Sequence, residues 1–147
     1  MYKIDQFSFV CGAMDCFNEV LAADVKNLAF GSPEKDKAER DRQLEPARDI
    51  CQKYGTKYYV EDEAFFTDLF PLSANQDTYL IIFYKHDRYI EQYLELKRRK
   101  KELVEKREYK GEARFQIAYD LGKLLSYSDE AIREKVEKNT EKEEFDF

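Results

Sequence analysis

A lone histidine, a run of carboxylates and a helix-start signal are the parts of this 147-residue chain whose types could do chemistry. His86 is the only imidazole, and it sits in Lys85-His86-Asp87, directly after the run Tyr79-Leu80-Ile81-Ile82-Phe83-Tyr84. Glu61-Asp62-Glu63 follows the β-prone Thr56-Lys57-Tyr58-Tyr59-Val60, and Gly31-Ser32-Pro33-Glu34 follows Leu28-Ala29-Phe30. Each chemical group therefore stands at the exit of an apolar or aromatic run. Ser32 as N-cap and Pro33 as first helical residue would make a helix N-terminus, which favours phosphate or carboxylate. An imidazole titrates near neutral pH and, beside carboxylates, suits acid/base chemistry. Glu61, Asp62 and Asp87 together would also suit a divalent cation.

Convergence of these groups depends on the elements that carry them. Six apolar or aromatic residues in a row at 79–84 predict a strand covered on both faces. Shorter strands are expected at 28–30 and 56–60. Strands alternating with helices predict an α/β fold with a small, mainly parallel sheet of three to four strands, flanked by helices that make up about half the chain or more. In such a sheet ligands bind beyond the carboxyl ends of the strands. Gly31, Ser32, Glu61, Asp62, His86 and Asp87 would then share one rim, a candidate site for an anionic small molecule.

The helices are read from period and caps. Phe7, Val10, Met14, Phe17 and Leu21 form one helical face behind Asp5, although Phe7-Ser8-Phe9-Val10 also alternates like a strand. A helix is expected from Pro33 to Tyr54, kinked or divided near Pro46 and stopped by Gly55. Residues 64–72 are apolar but too short to assign. Asp87 should open a long helix to about Arg107, and a second helix over 112–125 should form a hairpin with it. Ser128 caps a short final helix, with Tyr127 and Ile132 at the spacing of a hydrophobic staple. Residues 1–139 read as one domain and Thr140–Phe147 as a frayed acidic tail.

The long helix has a gap in its apolar stripe from Lys97 to Glu102, about two turns or roughly 9 Å. From Lys85 to Lys110 there are ten Lys/Arg against six Asp/Glu, a local +4 in a chain of −6. Arg98, Arg99 and Lys100 are thus candidates for docking a partner or a second copy of the chain, unless they merely solvate the helix. No aromatic residue interleaves with the run, and the acidic balance argues against nucleic acid.

Several classes find no support. The lone Gly31 is not a phosphate loop, which needs three glycines or a Gly-Lys pair. Cys11, Cys16 and Cys51 are odd in number, have no C-x-x-C spacing, and read as free thiols of a reducing cytoplasm. Cys11 gains a nucleophile's setting only if 7–10 is a strand. Asp15 and Glu19 share a helix face and read as solvated. No metal, cofactor or membrane span is called for. Two functions remain: an α/β protein binding an anionic small molecule at the strand ends, or a non-enzymatic protein that docks a partner or itself through its C-terminal helices.

Overall fold

The computed structural model describes all residues, Met1–Phe147. Helices account for 55% of them, with one three-stranded sheet. The chain divides into two compact units, Met1–Ala64 with Asp77–Asp87, and Phe65–Gln76 with Arg88–Phe147.

The first unit begins with α1 (Gln6–Ala22), capped by the Asp5 carboxylate accepting from Ser8 N. The helical reading of 7–10 therefore holds, and Cys11 stands on a helix. Strand β1 (Leu28–Phe30) leads to α2 (Lys37–Arg42) and α3 (Leu44–Tyr54), two helices that abut at Gln43. Gly55 ends α3 in the left-handed conformation at φ 69°. Strand β2 (Lys57–Glu61) and strand β3 (Leu80–Tyr84) complete the sheet in the order β1-β3-β2.

The sheet is not the expected parallel one. β3 is central, and both neighbours run antiparallel to it: Leu28 and Lys57 each pair with Tyr84, and Phe30 and Tyr59 each pair with Ile82. The physical reason lies between β2 and β3. A parallel return needs a long crossover, usually a helix. The only helix between them is the single turn α4 (Leu72–Asn75), and the chain re-enters the sheet at the end where β2 left it, with Leu80 opposite Glu61.

One sheet face, with Ala29, Ile81 and Phe83, packs against Met14, Leu21, Ala47 and Cys51 of α1 and α3. Leu28, Leu80 and Ile82 are also buried, so β3 is covered on both faces as its composition predicts.

The second unit holds α4, then α5 (Asp87–Glu105) from Arg88 onward, α6 (Gly111–Leu124) and α7 (Asp129–Lys138). Ser128 caps α7 by accepting from Ala131 N, as the sequence indicates. Ile117, Ala118, Leu121, Leu124 and Leu125 of the α6 segment are buried, as is Ile132 of α7. Residues 139–147 contain no helix or strand.

Candidate functional site

The antiparallel register separates the six strand-exit residues. β1 and β2 end at one end of the sheet, placing Gly31, Ser32, Glu61 and Asp62 there; β3 exits at the other, placing His86 and Asp87 there. The length of β3, about 13 Å, lies between the two groups. They form no common rim, and Asp87 cannot complete a cation site with Glu61 and Asp62. No group of three or more His, Cys, Asp or Glu side chains is disposed to hold a metal ion.

The first group is built around a residue that sequence reasoning missed. Ser32-Pro33 does not start a helix; Gly31 N donates to Ile81 O at 2.7 Å, and Glu34 forms a two-way bridge with Tyr79. A Cβ on Gly31 would come within 2.8 Å of Ile81 O, so glycine is required by a close backbone approach, not by a phosphate. The helix starts instead at Lys37, with Asp36 as cap. From α2 the Arg40 side chain, 1% exposed, enters the structure. Its Nη1 donates to Glu61 O at 3.0 Å and Leu80 O at 3.3 Å, its Nε donates to Asp41, and its Nη2 donates to Asp62. The guanidinium thus ties α2 to both strands, and its hydrogen bond holds the Asp62 carboxyl below the usual carboxylate range. Glu61 is buried and accepts from Glu63 N at 3.0 Å. This end of the sheet is a structural knot.

At the opposite end His86 Nε2 lies 2.8 Å from Asp24 Oδ1, and Lys85 Nζ reaches both Asp24 Oδ2 at 3.1 Å and Ala22 O at 2.9 Å. Hydrogen bonds from His86 and then Lys85 hold the Asp24 carboxyl low. Asp87 pairs with Lys57 at 2.7 Å. The Lys85 ammonium, on the carbonyl of the last residue of α1, is a helix C-terminal cap.

The second unit contains a different kind of arrangement. Arg98, Arg99 and Lys100 are consecutive yet have three separate environments. Arg98 is exposed and pairs along its own helix with Glu95 and Glu102, and Arg99 reaches Asp120 of α6 at 2.9 Å. Lys100 turns inward, with its side chain 11% exposed. Its ammonium donates to Phe66 O at 2.6 Å and to the Glu143 carboxylate, and lies 5.3–5.9 Å from the ring centroids of Tyr109, Phe65 and Phe66. The apolar gap in α5 is thus filled by a lysine stem among aromatic rings. Burial pushes the Lys100 ammonium down from its ordinary value, against the opposing pull of Glu143.

Beside it, Arg114 of α6 grips Asp68 with two bonds of 2.7 and 2.8 Å and donates to Glu143 O at 2.8 Å. Its guanidinium carbon lies 5.0 Å from the centroid of the Tyr109 ring and 5.7 Å from that of Phe145. Tyr109 is 1% exposed, and its hydroxyl has no hydrogen-bond partner. Burial, and then the nearby Asp68 carboxylate, push that phenol up.

What occupies this seat is the end of the chain itself. Glu143, Phe145 and Phe147 are partly buried, whereas Lys142, Glu144 and Asp146 are exposed, the period-two pattern of an extended segment. Glu141 O accepts from Leu72 N, and its carboxylate accepts from Ser73 Oγ at 2.6 Å. Asn139 donates to Asp68 O and Phe70 O and accepts from Glu141 N, fixing the point where the segment departs from α7. Phe147 packs on Phe145 and lies over Arg107. Asp68, Tyr109, Arg114 and Glu143 were not recognised from sequence. The alternation of Glu143, Phe145 and Phe147 was the available signal, obscured because the segment reads first as acidic.

No helix is long and apolar enough to cross a membrane. Compared with protein-family models, with curated proteins and with solved structures, the chain matches none.

Proposed function

We propose that this chain is a non-enzymatic docking protein whose helical second unit holds an extended segment of a partner protein. One observation carries the reading. Residues 141–147 lie on the α5–α6 unit as a bound peptide would, with alternate side chains turned in and a carboxylate, a main-chain carbonyl and two rings each received by a dedicated group. Short linear segments are commonly read in this way, by pockets for alternate side chains. A small anion at the strand ends has weaker support, because the groups there are split between opposite ends and Arg40 is already engaged.

Selection of displayed random peptides on the full-length protein carrying Phe145→Ala and Phe147→Ala tests the reading. Enriched peptides should lose binding when Lys100→Ala is added to a folded protein. Enrichment indifferent to Lys100, or none, would refute a docking role for this seat.

A further inference from the structure

The second unit's seat makes three demands on whatever fills it. Lys100 is almost wholly buried and requires a counter-charge, which Glu143 supplies. Arg114, doubly bonded to Asp68, also donates to a main-chain carbonyl at the same position. Tyr109 and Arg107 each receive an aromatic ring, Phe145 and Phe147 respectively. These demands specify an acidic residue followed, at two-residue spacing, by two aromatic residues. The flanking positions are free to vary, since Lys142, Glu144 and Asp146 are exposed.

The resident segment meets these demands but leaves one polar group of the seat unpaired. The Tyr109 hydroxyl is buried with no hydrogen-bond partner, although Arg114, Lys100 and Phe145 flank its ring. A buried phenol without a partner carries the full cost of its desolvation, so an occupant offering an acceptor there would displace the segment. The segment also belongs to no helix or strand, so it can leave without unfolding another element.

Resting on the docking role, we infer that the seat is a receptor for a partner's acidic-x-aromatic-x-aromatic segment, and that residues 141–147 are a resident competitor which the partner displaces. The tether sets the threshold. A segment held in cis acts at an effective concentration in the millimolar range, so a partner must present a better match or a second contact. Self-occupancy keeps Lys100 neutralised until such a partner arrives.

The test uses a fluorescein-labelled peptide with the sequence of residues 140–147 (TEKEEFDF), followed by anisotropy against the full-length protein. Saturable binding is expected with the Phe145→Ala/Phe147→Ala protein, and binding at least about tenfold weaker with the unaltered protein, whose seat is filled in cis. Lys100→Ala in the opened protein, or alanine at both phenylalanines of the peptide, should abolish binding. A folded, opened protein that ignores the peptide, or binds its alanine version equally, overturns the inference. So does a mass by light scattering that doubles with concentration in the unaltered protein, because the occupant would then be a second copy's segment. Should the opened variant lose its helical circular dichroism, Glu143→Gln replaces it with the same expectations. Displayed peptides that depend on Lys100 but lack the acidic-aromatic pattern would defeat this inference while leaving the docking role intact.

Discussion

The ring of Phe145 stands edge-on to that of Tyr109, with centroids 5.6 Å apart and planes at 82°. The contact joins the last residues of the sequence to the turn between α5 and α6, and the same tyrosine borders both Lys100 and Arg114. An aromatic pair of this geometry contributes about 0.5–1.5 kcal/mol beyond the area it buries. Phe145→Ala should therefore lower the unfolding free energy by about 1–2 kcal/mol, measured by urea denaturation, with helix content unchanged at zero denaturant.

The Lys100–Glu143 pair should respond unequally to loss of one partner and loss of both. Glu143→Gln removes the counter-charge of a buried ammonium, and a loss of about 1–3 kcal/mol is expected. Lys100→Met combined with Glu143→Leu removes both charges from a slot lined by Phe65, Phe66 and Tyr109, and stability should change by less than about 1 kcal/mol. Equal losses for the two variants in chemical denaturation would contradict the burial of Lys100.

Arg40 is the residue on which one end of the sheet depends. Arg40→Ala leaves the buried carbonyls of Glu61 and Leu80 without these donors, and should cost about 2–4 kcal/mol. Arg40→Lys should recover little, because an ammonium cannot span Asp41, Asp62 and two carbonyls at once. Thermal unfolding of both variants checks this, and a fully stable Lys variant would refute it.

Acid should weaken the same knot. The Asp62 carboxyl titrates below its ordinary value because Arg40 hydrogen-bonds the charged form. A depressed folded-state pKa gives stability that is complete above the unfolded value, about 3.9, and is lost as pH falls through the folded value. The drop in Tm between about pH 6 and pH 3 should be smaller for Asp62→Asn than for the unaltered protein. An identical drop would show that the pair makes no net contribution.

How much of this was legible in the sequence differs by element. Tyr79–Tyr84 declared itself, because a strand buried on both faces needs an unbroken apolar run and nothing else supplies one. Strand direction did not. Alternating helices and strands suggested parallel crossovers, but direction was decided by the lack of a crossover helix between Glu61 and Leu80. Because rim and direction are one inference, the antiparallel direction also parts His86 from Ser32 and Asp62. Ser32-Pro33 carried a sound local helix signal that lost to sheet pairing at Gly31 and Glu34. Lys100 was visible only as one charge among five, since no local pattern reveals which lysine of a basic run turns inward. That depended on rings from residues 65, 66 and 109.

Backbone order in residues 143–147 tests the docked segment most directly. Amide ¹⁵N relaxation on the full-length protein should give order parameters close to about 0.85, the value of a rigid backbone, falling below about 0.6 in the Phe145→Ala/Phe147→Ala protein. Order parameters already below about 0.6 in the unaltered protein, or unmoved by the two substitutions, would contradict a segment seated through its two rings.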